Sequence, residues 1–247
     1  MSYVIAIAGK GGTGKSTITA MLIRLLKETR AGSILAVDAD PNSNLAELLG
    51  VKTRETVGEI LDRVASSLDK VPSGMSKDRY IEFEVGTSLV EGDGFDLLTM
   101  GRPEGPGCYC YVNNVLRNIT EKLIAGYDYV LIDNEAGLEH LSRRTTRKAD
   151  ALLVVSDTSA AGLRAAKRIN SLVKELKIDV KKRFLLVNRV VHAPDDLLLK
   201  DTELGHLGNI IQDESILQIS LKGGAVFLLE EKTESLAGLR DVLGKIL

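Results

Sequence analysis

The sequence predicts an α/β fold, a mostly parallel central sheet with helices on both faces. Three observations predict it. Short β-rich apolar runs alternate with helical patterns from end to end, which is the signature of strands joined by crossover helices. The first run, Tyr3 to Ala8, is continuously apolar rather than alternating, as a strand buried on both faces must be. No internal repeat and no long polar linker divides the 247 residues, so residues 1–247 are expected to form a single domain.

The elements follow in order. After Tyr3–Ala8 and a glycine loop, Ile18, Met21, Leu22, Leu25 and Leu26 keep the i, i+3, i+4, i+7 spacing of a helix face. Ser33–Val37 reads as a second strand, and Asn44–Leu49 and Thr56–Leu68 as helices. Asp69–Asp78 carries Pro72, Ser73 and Gly74 and reads as a loop. Ile81–Val90 is expected to hold an edge strand or two, and Phe95–Met100 a further strand. The Gly101–Tyr109 loop leads to a helix marked by Val112, Val115, Leu116, Ile119 and Leu123, with Asn113 as its expected N-cap. Tyr127–Ile132 and Ala151–Val155 are buried strands, Ala160–Leu176 a long helix and Phe184–Val190 a strand. Gly208–Ile211 is a short strand, and Ser235–Leu247 closes the chain as a helix.

Bulk properties narrow the function. Apolar residues at 44% and charged residues at 27% are those of a soluble globular protein. A net charge of −2 argues against a nucleic-acid binder, and Arg143-Arg144 and Lys181-Lys182-Arg183 read as solvated faces. The start has no basic n-region, no apolar stretch reaches membrane-spanning length, and two cysteines make no disulfide framework. A reducing cytoplasm is the expected compartment.

Gly9-Lys10-Gly11-Gly12-Thr13-Gly14-Lys15-Ser16-Thr17 contains G-x-x-x-x-G-K-[ST] between a strand and a helix. Its glycines let backbone N–H groups curl around an anion at a helix N-terminus. Lys15 is expected to reach the β- and γ-phosphates of ATP or ADP, Ser16 to bind Mg²⁺ through its hydroxyl, and Thr17 to touch the α-phosphate. Val37-Asp38-Ala39-Asp40-Pro41-Asn42 follows the second strand. Carboxylates there can orient an attacking water or hold a magnesium-bound water, or can form an Asx turn. Tyr129–Ile132 runs into Asp133, an apolar strand ending in an acid suited to Mg²⁺ through water. Asn188-Arg189 ends a strand, where Asn is also an ordinary turn residue.

Lys10 to Ser16 resembles the deviant Walker A motif, K-G-G-x-G-K-[ST], of the MinD/ParA-type P-loop ATPases. The resemblance implies a nucleotide-sandwich homodimer in which Lys10 of one subunit reaches the phosphates of the other. It further implies that Asp40 handles the attacking water, that Asp38 lies near the metal, and that Asn188 reads adenine.

Cys108 and Cys110 flank Tyr109 in the proline- and glycine-rich loop after Gly101. A disulfide at i, i+2 would close a strained ring. Two inert, packed cysteines and two metal ligands are both open by spacing alone. A two-fold dimer would bring two pairs together as a four-thiolate site for Zn²⁺, Ni²⁺ or an iron–sulfur cluster. His140, His192 and His206 are scattered and form no ligand motif. Gly101 to Cys110, together with Asp133-Asn134-Glu135 and the run to Arg144, is similar to the CooC-type ATPases. That resemblance spans essentially the whole chain. It implies an ATP-hydrolysing metallochaperone whose homodimer, driven by nucleotide and metal, inserts nickel into carbon monoxide dehydrogenase or the related acetyl-CoA synthase. The rival expectations are an iron–sulfur scaffold and a MinD/ParA-like positioning ATPase. The amphipathic tail from Thr233 is compatible with a membrane anchor but reads better as a last core helix, so no stable membrane insertion is expected.

Overall fold

A computed structural model of the protein describes residues 2–66, 71–101, 110–137 and 148–247. Eight strands form one sheet in the order β3-β4-β2-β5-β1-β6-β7-β8. They are β1 Tyr3–Gly9, β2 Ile34–Ala39, β3 Val90–Glu91, β4 Asp96–Thr99, β5 Tyr129–Asn134, β6 Lys148–Ser156, β7 Asp179–Val190 and β8 Gly205–Ile211. All pairings are parallel except the antiparallel β3–β4 edge, as the continuous apolar strands predict.

The helices are α1 Lys15–Thr29, α2 Leu45–Leu48, α3 Val57–Ser66, α4 Lys77–Ser88, α5 Cys110–Ile124, α6 Ala160–Glu175, α7 Asp196–Asp201, α8 Glu214–Lys222 and α9 Glu234–Ile246. They divide between the two faces. Alternate residues of each strand point to opposite sides, so two cores form. In one, Leu35, Val37, Ile132 and Val154 meet Ile60 of α3, Leu116 of α5 and Leu163 of α6. In the other, Ile5, Ile7, Ala36 and Leu131 meet Leu22 and Leu25 of α1 and Leu239 of α9. Each fully buried Leu or Ile contributes about 1.5–3 kcal/mol of transfer free energy.

Two readings are corrected, and two helices were unread. Ile81–Val90 is not an edge strand: α4 occupies Lys77–Ser88, and only Val90–Glu91 is strand. Ile81, Val85 and Ser88 are buried at i, i+4, i+7, and the Ser76 side chain caps the helix by accepting from Arg79 N–H. Asn113 is not an N-cap, because α5 already begins at Cys110. Helices α7 and α8 were not anticipated, although Asp195 and Asp213 cap them with their carboxylates.

The tail helix α9 is a core element. Leu236, Leu239, Val242, Leu243 and Ile246 are buried, and Arg240 pairs with Glu28 of α1 at 3.1 Å. Arg24, inside α1 and nearly buried, donates to the carbonyls of Val226 and Leu229, both at 2.8 Å, and to Glu28 Oε1 at 2.8 Å. Among the described residues no helix is long and apolar enough to cross a membrane.

Candidate functional site

The loop joining β1 to α1 is a tight cradle at the C-terminal end of the sheet. Backbone packing demands its glycines. A Cβ on Gly9 would stand 2.2 Å from the Val155 carbonyl oxygen. Gly14 has φ 89° and caps α1, and a Cβ there would meet Asn188 Nδ2 at 2.6 Å. Three donors converge on the Lys10 carbonyl: Thr13 Oγ1 at 2.9 Å, Thr13 N–H at 3.4 Å and Lys15 Nζ at 3.4 Å. Lys15 is buried, while the Lys10 side chain is exposed. The first turn of α1 holds Ser16 and Thr17 against the same concavity.

Parallel pairing lines up the acids. Thr99 of β4, Asp38 of β2 and Asp133 of β5 occupy one register row. Asp38 is fully buried and accepts from Asp40 N–H at 3.1 Å and Leu45 N–H at 3.0 Å. It therefore shapes the turn into α2. Burial first, and the neighbouring Asp133 charge second, push its carboxyl up to about 7. Burial also raises Asp133, to about 6, against the stabilising Ser16 hydrogen bond and Lys15 charge. Thr19 Oγ1 donates to Asp133 Oδ1 at 3.4 Å, but Asp133 Oδ2 is buried with no hydrogen-bond partner among the described residues. Thr99 Oγ1 and Asn134 Oδ1 are likewise buried and unpartnered. Native proteins leave few such atoms, and among the described residues these three lie together at this edge of the sheet, as in a site prepared for a ligand. Asp40 does form an Asx turn: its Oδ1 accepts from Asn42 N–H and Nδ2, both at 2.9 Å.

A register irregularity in β7–β8 between Val187 and Val190 builds the opposite wall. There Asn188 Nδ2 donates to Thr13 O at 2.9 Å, and Arg189 Nη1 donates to Gly12 O at 3.0 Å. Two cavities result. One of about 480 Å³ is lined by Gly12, Lys15, Asp40, Glu135, Arg189 and Gly223 among others. A second of about 250 Å³ is lined by Met21, Asn188, Gln212, Ile216 and Leu217. Gly14, Thr17, Arg189 and Ser220 border both. The size and polar-to-apolar gradient suit a phosphate chain joined to a flat base.

Lys15, Ser16, Thr17, Asp40 and Asn188 thus come together around these cavities, with Asp38 and Asp133 beneath them. Sequence reasoning singled out Asn188-Arg189 at a strand end but missed Ser220 and Gly223 as wall residues. The helix signal at Asp213, which caps α8, was the available clue to the last two. Cys108 lies outside the described residues, and Cys110 opens α5. Among the described residues no group of three or more His, Cys, Asp or Glu side chains is arranged to hold a metal ion. His192 and His206 are exposed, the latter within 3.0 Å of Asn209 Oδ1, and His140 lies outside the described residues.

Comparison with known proteins agrees with this geometry. The family model of the CbiA type, the CobQ/CobB/MinD/ParA nucleotide binding domain, matches residues 4–218. An uncharacterized ATP-binding protein of Methanocaldococcus jannaschii is 42% identical over 99% of this chain and 98% of its own length. The carbon monoxide dehydrogenase accessory protein CooC of Rhodospirillum rubrum is 32% identical over 86% of this chain and 84% of its own. Among solved structures, the cell division ATPase MinD of Pyrococcus furiosus superimposes with a TM-score of 0.73 at 21% identity. That match covers 100% of this chain and 98% of that one, and it supports the eight-stranded fold. The chain belongs to the CobQ/CobB/MinD/ParA nucleotide-binding family and is an ATPase.

Proposed function

We propose that this ATPase is a metallochaperone: a nucleotide-driven homodimer that carries one metal ion, nickel in the favoured reading, on Cys108 and Cys110 of both subunits. Its client would be a nickel enzyme of the carbon monoxide dehydrogenase or acetyl-CoA synthase class. The observation that carries the reading is where the cysteine segment leaves the fold. It departs from Met100, whose N–H donates to the Asp38 carbonyl at 2.8 Å and whose carbonyl accepts from Gly58 N–H at 2.9 Å. Met100, just before the sulfur-bearing segment, is thereby tied to the acid row under the nucleotide cavity. The likeness to a carbon monoxide dehydrogenase accessory protein supports the client class.

In this mechanism Lys15 holds the β- and γ-phosphates, and loop N–H groups of residues 11–16 neutralise the rest. Thr17 touches the α-phosphate, and Asn188 faces the adenine. Lys10, exposed on its own subunit, crosses to the phosphates of the partner subunit. Asp40 orients the attacking water. Ser16, with Asp38 and Asp133 through water, would hold Mg²⁺. The buried, unpartnered Asp133 Oδ2 fits that role. The ion, when bound, supplies positive charge to the developing phosphate oxygens. Hydrolysis relaxes the turns after Asp38 and Asp133, and the bond from Met100 passes that change to the thiolates. Coupling is reciprocal, so cargo metal must tighten ATP binding as much as ATP tightens metal binding. A cytoplasmic setting keeps the thiols reduced. The apolar face of α9 is spent on the core, which argues against a membrane-anchored positioning role.

The test is metal stoichiometry in the Cys108→Ala/Cys110→Ala double variant. The wild type should bind one ion per two chains in the presence of ATP. The variant should bind none while still binding ATP. Full metal retention overturns the reading. A brown anaerobic preparation with cluster absorption would favour the iron–sulfur scaffold instead.

A further inference from the structure

We propose that Arg189 is a positioning residue for the phosphate cradle, clamping the loop at the Gly12 carbonyl so that the cradle keeps its shape around the anion. A trans peptide is planar, with its C=O and N–H on opposite sides. Arg189 Nη1 holds the Gly12 carbonyl at 3.0 Å. The other end of that peptide unit, the Thr13 N–H, is thereby turned to the Lys10 carbonyl, which it meets at 3.4 Å, closing the turn that shapes the cradle. Asn188 Nδ2 holds the next carbonyl, Thr13 O, at 2.9 Å, which turns the Gly14 N–H to the opposite side of that peptide unit. Two consecutive peptide units are thus set by two consecutive side chains from β7.

The backbone around Arg189 is strained to deliver this contact. Arg189 has φ 56°, in the left-handed region that a long side chain rarely adopts. It sits in the register irregularity between Val187 and Val190, which turns both side chains toward the loop. The loop has been fitted to the clamp in return. A Cβ on Gly14 would approach Asn188 Nδ2 at 2.6 Å and Arg189 Nη2 at 3.9 Å. Arg189 also borders both cavities, standing at the junction of phosphate chain and base. It acts through the loop and not through the base, so it should affect all nucleotides alike.

The inference rests on the reading that loop 9–17 holds the phosphates, which Lys15→Ala tests by itself. If Lys15→Ala binds ATP normally, that reading falls whatever Arg189 does. With that reading intact, three variants are titrated with ATP, ADP and GTP: Arg189→Ala, Arg189→Lys and Arg189→Gly. Arg189→Gly suits the positive φ and should melt no lower than the wild type, so loss of binding in it is not loss of fold. We expect Arg189→Gly and Arg189→Ala to lose about tenfold in affinity for ATP and ADP, equivalent to about 1.4 kcal/mol. The ATP-to-GTP ratio should not move, and Arg189→Lys should recover most of the loss through its single ammonium donor. Unchanged affinity in Arg189→Gly overturns the proposal. So does a loss confined to ATP over GTP, which would make Arg189 a base-reading residue, or a failure of lysine to rescue.

Discussion

The two ends of the sheet treat their acids in opposite ways. At the N-terminal edge, Asp150 accepts from Val4 N–H at 2.8 Å and from Lys181 Nζ at 2.6 Å. Asp128 accepts from Ser33 N–H and Oγ, both at 2.9 Å, and these bonds hold its carboxyl below the ordinary range. At the C-terminal edge, Asp38 and Asp133 are buried, adjacent and pushed upward, and one Asp133 oxygen has no partner among the described residues. One end is satisfied and serves the fold. The other carries charge and polarity unmet among the described residues, as sites prepared for a ligand do. The distinction does not depend on motif matching, because it arises from partners and burial alone.

The sharpest break is catalytic. Lys10→Ala should lower ATP turnover by about 10³-fold, the scale of a cationic residue acting on a transferring phosphoryl group. Affinity of the isolated chain for nucleotide should be little changed. Lys181→Ala, at the satisfied end, should leave turnover as it is. Steady-state phosphate release compares the two, and undiminished turnover in Lys10→Ala would remove that residue from the mechanism.

Next comes stability. An unfolded Asp133 ionises near its ordinary 3.8, and the folded one near about 6. Folding therefore favours the protonated form. The stability from this group is fully present below about pH 4 and drains away as pH rises through about 6. Asp133→Asn, which keeps an oxygen for Thr19, should raise stability near pH 8 by on the order of 2 kcal/mol in nucleotide-free protein while abolishing turnover. Denaturant melts across pH check it. A variant equally stable or weaker at pH 8 would show that Asp133 is not a stored strain.

The smallest effect has the opposite sign. Asp128 has a lowered carboxyl, so its contribution is present above its ordinary value and is lost as pH falls. Asp128→Asn should lower stability slightly at neutral pH, flatten the acid limb of the melting profile below about pH 4, where the wild type loses the same contribution, and leave turnover untouched.

Much of this edge was legible in the sequence, for definite reasons. Continuous apolar runs can only be parallel strands covered twice, so β1, β2, β5 and β6 were readable. The loop glycines are demanded by backbone approach, so Gly9 and Gly14 announced the cradle. Ile81–Val90 failed because β-branched residues at helical spacing still look strand-like, and the exposed Phe83 blurred the period. Asn113 failed because a favourable capping residue also occurs inside helices. Asn188-Arg189 was legible as a strand end at the site, but the grip of Arg189 on the Gly12 carbonyl was not. A bulge depends on how two strands slip past each other, and no local spacing records that. The cysteine pair remains a reading of sequence and likeness, with Cys110 at the head of α5.

Arg24 has a consequence for how firmly the cradle is set. A buried guanidinium with three acceptors on Glu28, Val226 and Leu229 works as an indexing pin. Helix α1 cannot slide or rotate by even one residue without stranding a cation in oil. The ammonium of Lys15, two and a half turns upstream on the same rigid rod, is therefore gauged against a turn some two hundred positions further along the chain.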